Sequence, residues 1–297
     1  MKNAIFTGAC TALVTPMDSA GQVNLPVLSH LVESQIQQGI DALLVCGTTG
    51  ESATLSPAEQ AACIQCAVRT AQERVPILAG SGSNDTRHAI ALSKQAEALG
   101  ADALLLVTPY YNKTSQSGLI RHFTAIADAV QIPILLYNVP SRTGCNLLPE
   151  TVCALANHPR IVGVKEASGN ISQCAQIAAC CPTDFSLYSG NDDQVLPLLS
   201  LGGKGVISVV SNLAPHAVHA MCSAWMQKDF AAARRAQLEL LPLCRALFCD
   251  VNPMPVKYAM QAQGWQVGAC RLPLTELTDA QKAMLAALVP QYPLFPA

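Results

Sequence analysis

Short apolar runs alternate with longer amphipathic segments along most of the chain. The runs are rich in Val, Ile, Leu and Ala, and their length is that of a strand buried on both faces. Eight runs are predicted as strands: Ala9–Pro16, Ala42–Gly47, Val75–Gly80, Ala103–Thr108, Pro133–Val139, Ile161–Ala167, Phe185–Gly190 and Gly205–Val210. Their regular recurrence indicates a repeated strand–helix unit.

The segments between these runs carry apolar residues at the 3.6-residue period of a helix. The clearest helices are predicted at Leu25–Gln38, Pro57–Arg74, Asp85–Leu99 and Gly118–Val130. Ser56, followed by a proline and then by Glu59, has the pattern of a capping box, which favours a helix start. Gly39 and Gly100 are typical helix ends, and each stands close before a new strand.

Eight such units predict a closed α/β barrel of the (β/α)8 type, which usually takes ~250 residues. Four more helices follow the last strand: Pro215–Met226, Phe230–Leu247, Pro253–Gln263 and Thr278–Val289. We therefore predict a barrel domain over residues 1–226 and a small helical domain over 227–297. The alternative, an open doubly wound sheet, needs a glycine-rich phosphate loop after its first strand, and the segment Thr15–Asp18 supplies none.

Composition argues against several classes of function. The 297 residues are 51% hydrophobic and 13% charged, with a net charge of -2, so nothing indicates a nucleic acid or an anionic membrane as partner. No apolar run reaches the ~20 residues that a membrane-spanning helix needs. These features predict a cytoplasmic globular protein with a large core.

The thirteen cysteines mostly occupy apolar helix or strand positions, where cysteine behaves as a small hydrophobic residue. In a reducing cytoplasm we expect no disulfide, and the adjacent Cys180 and Cys181 are interpreted as having no role. Cys63-x-x-Cys66 and His216-x-x-His219 lack the further ligands of a metal site, so no metal is predicted.

Polar residues cluster at the C-terminal ends of the predicted strands, the rim of a barrel where active sites lie. Lys165 ends the sixth run after four apolar residues, on the same face as Gly163. Loss of hydration disfavours the charged form of a lysine, and a neutral lysine attacks carbonyl carbons. The other interpretation is a lysine paired with a carboxylate at a strand end.

Three more features of this rim have both a chemical and an ordinary structural interpretation. The Gly47–Gly50 turn exposes N–H groups and two hydroxyls that suit a small carboxylate, or it is a plain turn. Tyr137, on the strand next to Lys165, could exchange protons with its amine, or it is a core aromatic. Arg142 could bind a second carboxylate with two hydrogen bonds, or it is a surface arginine.

Nothing indicates a phosphorylated substrate or an organic cofactor. Barrels that bind phosphate often use loops after the seventh and eighth strands, but the glycine-rich segment Gly202–Gly205 precedes the eighth strand, on the opposite rim. No cluster of residues is typical of nicotinamide, flavin or pyridoxal phosphate binding.

The segments Gly47–Leu55, Tyr137–Gly144 and Gly163–Ala167 resemble the signatures of the dihydrodipicolinate synthase family. Two further segments share the resemblance, Thr108–Asn112 and Asn252–Lys257, and it covers nearly the whole chain. Sialic acid lyases are similar in the lysine and the tyrosine. They usually carry Gly-Ser-Thr-Gly-Glu in the turn after the second strand and lack the Ser-Arg-Thr-Gly loop.

The resemblance implies a class I aldolase type of lyase in lysine and diaminopimelate biosynthesis. Lys165 would form a Schiff base with pyruvate, and the enamine would attack L-aspartate-4-semialdehyde to give 4-hydroxy-tetrahydrodipicolinate, without a cofactor. Tyr137 would act as general acid and base, connected to solvent by Thr49 and by Tyr111 of a neighbouring subunit. Substrate-binding residues would be Thr48, Thr49, Arg142, Gly190 and Ile207. A homotetramer, built as a dimer of dimers, is the expected assembly.

Members of the family often bind L-lysine as a feedback inhibitor at the dimer interface. Four residues of this chain match that site: Ser52, Ala53, Asn84 and Tyr110. Pro57, Gln60 and His88 depart from sensitive members, which have histidines at the first two positions and glutamate at the third. Without a carboxylate at position 88 the lysine α-amino group lacks its counter-charge, so inhibition is predicted to be weak or absent.

Two other functions stay open. One is a pyruvate-dependent aldolase or lyase acting on a 2-keto-3-deoxy acid or sialic acid. The other is a catalytically silent barrel that serves as a binding or regulatory protein.

Overall fold

A computed structural model describes residues 2–292 and arranges eight strands in one closed parallel sheet. The strands are β1 Gly8–Ala12, β2 Ala42–Val45, β3 Ile77–Gly80, β4 Ala103–Val107, β5 Ile134–Asn138, β6 Ile161–Glu166, β7 Ser186–Ser189 and β8 Gly205–Ser208. Each strand pairs with the next in the chain, and β8 closes the sheet by pairing with β1, with Ile207 opposite Cys10. The predicted (β/α)8 barrel is confirmed.

Helices follow the strands and surround the barrel. They are α1 Leu25–Gln37, α2 Pro57–Ala71, α3 Thr86–Ala98, α4 Gln116–Asp128, α5 Pro140–Thr143, α6 Pro149–Leu155, α7 Ile171–Cys180, α8 Val195–Ser200 and α9 Pro215–Met226. Three C-terminal helices complete the described chain: α10 Phe230–Ala246, α11 Met254–Ala262 and α12 Asp279–Leu288. None of the helices within residues 2–292 is both long and apolar enough to cross a membrane.

The segment after β5, expected to be a loop, is partly helical. Pro140 begins the single turn of α5, and Gly144 ends it with a φ of 67°. Proline is preorganised for the first position of a helix, and a residue just past the end often needs a positive φ that glycine adopts without strain. Arg142 therefore stands on a short helix with fixed backbone geometry.

The barrel interior is a packed core at one end and open at the other. The ring of Phe6 stacks on the ring of Tyr188 with 4.4 Å between centroids, and the Tyr188 hydroxyl donates a 2.7 Å hydrogen bond to the Phe6 carbonyl. Phe6 precedes β1, so this pair closes the N-terminal end of the barrel. The barrel interior is therefore accessible only from the C-terminal ends of the strands.

A buried ion pair joins the C-terminal helices to the loop after β2. Lys257 Nζ lies 2.8 Å from Glu51 Oε1, and each side chain is 2% exposed. The ammonium group also donates to the carbonyl oxygens of Thr15 and Ala269, and the Arg271 N–H donates to Glu51 Oε2. Removal of either charge would leave the other buried without a partner, a strongly destabilising change.

The expectation that the chain has no disulfide is wrong. Cys153 of α6 and Cys180 of α7 are bonded, and their Cα atoms lie 6.1 Å apart, within the range that a disulfide requires. Cys181, interpreted above as having no role, places its sulfur 3.5 Å from that of Cys153. Among residues 2–292 these three sulfurs form the one group arranged as metal ligands are, and two of them are bonded to each other.

Candidate active site

A cavity of about 440 Å³ opens at the C-terminal ends of the barrel strands. Apolar side chains from several strands line it: Ala12, Leu44, Leu105, Val139, Ala167 and Val209. The polar side chains on its walls are Thr48, Thr49, Tyr137, Ser141, Arg142, Lys165, Asn191 and Asn252. A cavity in which polar groups converge between apolar walls is typical of a small-molecule site.

Lys165 and Tyr137 lie side by side inside the barrel. They are paired residues of the β5–β6 ladder, and the Lys165 Nζ is 4.4 Å from the centroid of the Tyr137 ring. The two residues are 5% and 7% exposed, respectively. The structure therefore brings together the amine and the phenol that strand adjacency predicted to be neighbours.

Gly190 leaves room for the stem of the Lys165 side chain. A Cβ atom at Gly190 would lie 3.0 Å from Lys165 Cε and 2.6 Å from Ala167 Cβ. The second of these distances is shorter than carbon atoms tolerate, so any side chain at position 190 would displace its neighbours. A glycine after β7 thus allows the lysine to reach the cavity.

The turn after β2 holds Thr49 in a buried position, 3% exposed. The Gly50 N–H donates to the Gly47 carbonyl at 3.1 Å, and the Thr15 hydroxyl donates to the Gly50 carbonyl at 2.7 Å. The Thr49 hydroxyl accepts a 3.0 Å hydrogen bond from the side-chain amide of Asn252. Thr48, next to it, lines the same cavity.

Arg142 reaches the cavity from α5. Its Nη2 donates to the main-chain carbonyl of Asn252 at 3.4 Å, a long and partly exposed contact. A guanidinium group has five N–H donors in a planar fork. Most of the Arg142 donors therefore stay available for a carboxylate in the cavity.

Asp192, just beyond β7, is a buried acid to which sequence reasoning gave no role. Burial raises the pKa of its carboxyl group, while the nearby Ser208 hydroxyl, the N–H groups of Val209 and Val210 and the positive charge of Lys165 oppose that rise. Its Oδ2 accepts hydrogen bonds from Val209 N at 2.9 Å and from Val210 N at 3.2 Å. The carboxyl group thereby fixes the chain after β8, including the cavity residue Val209.

Two residues expected at the site do not line the cavity. Ile207 is fully buried in the barrel interior, and Val209, two positions further along the chain, contributes to the cavity wall instead. Tyr111 is 91% exposed with a φ of 66°, so in the single chain its ring faces outward. The other predicted residues of the main site, including Gly190, line the cavity.

Sequence reasoning missed the contribution of the segment between α10 and α11. Phe248, Val251 and Asn252 line the cavity although they belong to the C-terminal helical region. In the sequence, the segment Asn252–Lys257 carries only the family resemblance. A local pattern cannot show that an appendage folds over the rim of a barrel.

A second cavity, also about 440 Å³, adjoins the first. Four residues predicted for regulation line it: Ser52, Ala53, His88 and Tyr110. Asn84 is not on its wall, and its carbonyl accepts a hydrogen bond from the Asn112 side chain at 3.0 Å. Thr48, Arg142 and Asn252 line both cavities, so the two cavities share part of their walls.

Comparison with known proteins gives a consistent result over the full length. The 4-hydroxy-tetrahydrodipicolinate synthase of Acetivibrio thermocellus is 50% identical over 294 residues, which is 99% of this chain and 100% of the relative. The dihydrodipicolinate synthase structure from Thermotoga maritima superimposes with a TM-score of 0.96 at 38% identity, covering 98% of this chain and 100% of that one.

A third relative was solved with a ligand. The chloride-inhibited dihydrodipicolinate synthase from Acinetobacter baumannii, complexed with pyruvate, has a TM-score of 0.94 and 42% identity, with 96% of this chain and 99% of that chain covered. The model of the dihydrodipicolinate synthetase family matches residues 5–292. With a family match over nearly all its residues and relatives this similar, the chain belongs to the dihydrodipicolinate synthetase family.

Proposed function

We propose that the chain condenses pyruvate with L-aspartate-4-semialdehyde to form 4-hydroxy-tetrahydrodipicolinate, through a Schiff base at Lys165. The activity named for the full-length relatives supports the reaction. The observation that carries the assignment to residues is the buried Lys165 amine beside Tyr137, in a cavity that also holds two threonines and an arginine. The imine itself serves as the electron sink.

The first half of the reaction activates pyruvate. The Lys165 amine attacks the keto carbon in its unprotonated form, the carbinolamine loses water, and a protonated imine forms. A methyl proton then leaves, and its bonding electrons move toward the imine nitrogen to give an enamine. Tyr137, next to the amine, moves protons in these steps as general acid and base.

The second half joins the two substrates. The enamine carbon attacks the aldehyde carbon, and the resulting alkoxide takes up a proton. The amine of the second substrate then attacks the imine carbon and displaces Lys165, which closes a six-membered ring and frees the enzyme. Apolar walls such as Leu44 and Val139 keep bulk water from the imine.

The two substrate carboxylates bind on different walls in this proposal. Thr48 and Thr49 hold the pyruvate carboxylate, and Gly190 leaves space beside the imine. Arg142 holds the carboxylate of the semialdehyde, because its guanidinium fork matches that group. Thr49, together with Tyr111 from a second subunit, carries protons between Tyr137 and solvent, and the exposed Tyr111 ring is available for such a contact.

The active unit in this mechanism contains at least two chains, because Tyr111 comes from a second subunit. The expected assembly is a homotetramer built as a dimer of dimers. The proposal also keeps the division into a barrel over residues 1–226 and a helical region over 227–297. The buried Lys257–Glu51 pair and the cavity residue Asn252 make the second region part of the active site.

Trapping the imine tests the proposal. Treatment with pyruvate and borohydride should give one pyruvate-derived mass adduct, located on Lys165 by peptide mapping. Lys165→Ala should abolish it, and Lys204→Ala, a lysine before β8 at the other end of the barrel, should keep it. An unmodified Lys165 would reject the proposal and indicate a silent barrel.

The second substrate is tested separately. The purified enzyme should condense L-aspartate-4-semialdehyde and should not cleave 2-keto-3-deoxy sugar acids. Arg142→Ala should lose most of the condensation activity while still forming the pyruvate adduct. Efficient sugar-acid cleavage by the unmodified chain would favour the other aldolases of the superfamily.

A further inference from the structure

Asn252 lies between two residues that are proposed to bind the two substrates, Thr49 and Arg142. It lies before α11, 203 positions from Thr49 in the chain, and the residue is 5% exposed. Its side-chain amide donates to the Thr49 hydroxyl, and its main-chain carbonyl accepts from Arg142. One residue therefore touches both the threonine assigned to pyruvate and the arginine assigned to the semialdehyde.

The Asn252–Thr49 hydrogen bond determines what the Thr49 hydroxyl can do. A threonine hydroxyl carries one proton and two lone pairs. Because one lone pair accepts from Asn252 Nδ2 at 3.0 Å, the proton of the hydroxyl is directed elsewhere. On the cavity wall it is free to be donated to a substrate carboxylate or to the Tyr137 oxygen.

The carbonyl oxygen of the Asn252 side chain shows that the orientation of this amide costs free energy of folding. Asn252 Oδ1 is buried and has no hydrogen-bond partner among the described residues. A buried polar atom without a partner is destabilising, and such atoms are uncommon in native structures. The bond to Thr49 is thus the one side-chain hydrogen bond that holds this amide within the described part of the chain.

The segments that carry the two residues are joined a second time. Glu51, two residues after Thr49, forms the buried ion pair with Lys257, five residues after Asn252. This pair fixes the separation of the two backbones independently of the amide. Asn252 is consequently held at a constant distance from Thr49, which a positioning residue requires.

We propose that Asn252 is a positioning residue that fixes the Thr49 hydroxyl as a proton donor toward the cavity. It acts through Thr49 and touches no reacting atom. The inference rests on the proposed function, since it assigns a partner to one of the groups in that mechanism. It adds a role for the C-terminal helical region in the chemistry at the barrel rim.

A double-mutant cycle separates this role from a general packing role. Asn252→Ala and Thr49→Val should each lower kcat/KM for pyruvate about tenfold or more, the loss expected for a buried hydrogen bond that positions a catalytic group. If Asn252 acts through Thr49, the double variant should be about as slow as Thr49→Val alone. If the two variants act independently, the double variant should lose kcat/KM by the product of the two single losses, and that result would overturn the proposal.

Asn252→Asp gives an independent readout, because the aspartate side chain has nearly the same shape as that of asparagine. A protonated aspartic acid donates to Thr49 as the amide does, whereas the ionised form only accepts and would draw the Thr49 proton away from the cavity. The ratio of variant to unmodified kcat/KM should therefore fall as the pH rises. Asn157→Asp, an exposed amide-to-acid change on the C-terminal side of α6, should keep that ratio constant.

The outcomes distinguish this inference from the proposed function. An unmodified enzyme that forms no pyruvate adduct rejects the proposed function. An unmodified enzyme that forms the adduct, combined with a pH-independent ratio for Asn252→Asp, rejects the positioning role alone. If Asn252→Asp does not fold, the cycle with Asn252→Ala decides. If neither variant folds, Asn252→Ser replaces Asn252→Ala in the cycle, and the double variant with Thr49→Val should again be about as slow as Thr49→Val alone.

Discussion

Tyr137 stands directly opposite Lys165 across two neighbouring strands, so its ring covers one side of the buried amine at 4.4 Å from Nζ. The contact has two components, the ring and the hydroxyl. The ring excludes water from the lysine and offers its face to the positive charge. In the proposed mechanism the hydroxyl moves protons at the imine, so the two functions can be separated by mutation.

Tyr137→Phe keeps the ring and removes the hydroxyl. We expect kcat to fall by about 10²- to 10⁴-fold, the usual contribution of a positioned general acid and base. The pyruvate adduct should still form on Lys165, but more slowly. Steady-state kinetics and time-resolved borohydride trapping measure the two effects. A variant with unchanged kcat would remove Tyr137 from the mechanism.

Gly190→Ala tests the space that the lysine stem needs. The new Cβ would lie 2.6 Å from Ala167 Cβ and 3.0 Å from Lys165 Cε, so the lysine must shift or the backbone must move. We expect adduct formation to slow at least about tenfold, since small misplacements of a reacting group are costly. The measurement is the rate of borohydride-trapped adduct with pyruvate.

The double variant Gly190→Ala/Ala167→Gly serves as the matched control. It removes the shorter of the two contacts and leaves the one with Lys165. If the rate stays low, crowding of the lysine stem is the cause. A full recovery of the rate would attribute the effect to the Ala167 contact.

The barrel could be predicted because both faces of its strands are buried, which gives continuous apolar runs such as β4. The limit of this signal is visible at the first strand, predicted to reach Pro16 although β1 ends at Ala12. Leu13 and Val14 are buried but not part of β1, and hydrophobicity alone does not distinguish a strand from a buried coil.

The site could be predicted only where strand order brings residues together. Lys165 and Tyr137 each stand one residue before the end of adjacent parallel strands, so their proximity follows from the barrel. Asn252 meets Thr49 across 203 positions through a loop between helices, and no periodicity encodes such a contact. The same holds for the disulfide, which depends on how α6 and α7 pack.

Regulation by L-lysine should be weak or absent, with no strong inhibition at sub-millimolar concentrations. His88 lines the second cavity at the position where lysine-sensitive members are expected to carry glutamate. His88→Glu should introduce or strengthen inhibition because a carboxylate can pair with the ammonium group of the ligand. His88→Gln, which adds no charge, should not. Inhibition curves against lysine concentration measure both.

Stability should depend on the ionisation of Glu59. A side-chain hydrogen bond from Arg271 lowers the pKa of the Glu59 carboxyl group from 4.5 to about 2. A depressed pKa stabilises the fold at pH values above 4.5, and the contribution is lost as the pH falls through that range toward about 2. Glu59→Gln should flatten this part of the pH dependence of the free energy of unfolding.

Denaturant unfolding at several pH values measures the effect of that change. Glutamine can still complete the capping box with Ser56, so the start of α2 is preserved in the variant. The difference between the two proteins should be largest near neutral pH and should shrink as the pH falls. A pH slope that the substitution leaves unchanged would assign the acid sensitivity to other groups.

Cys181 should be able to replace Cys180 as the partner of Cys153, because its sulfur already lies 3.5 Å from the Cys153 sulfur. Treatment of Cys180→Ser with oxidised glutathione should therefore yield a Cys153–Cys181 bridge, identified by peptide mapping without reduction. Burial raises the pKa of the Cys181 thiol to about 11, so the bridge should form faster as the pH rises and the thiolate fraction grows.

Loss of both possible bridges of Cys153 should lower the stability of the fold and leave the activity unchanged. The native disulfide closes a loop with a sequence separation of 27, which corresponds to about 3 to 4 kcal/mol of chain entropy in the unfolded state. Cys180→Ser/Cys181→Ser, which cannot form either bridge, should unfold at a lower denaturant concentration. Its kcat should be unchanged because none of the three cysteines lines the cavity around Lys165. Failure of Cys180→Ser to form the bridge, with Cys181 still reactive toward a thiol reagent, would show that the short sulfur distance does not permit exchange.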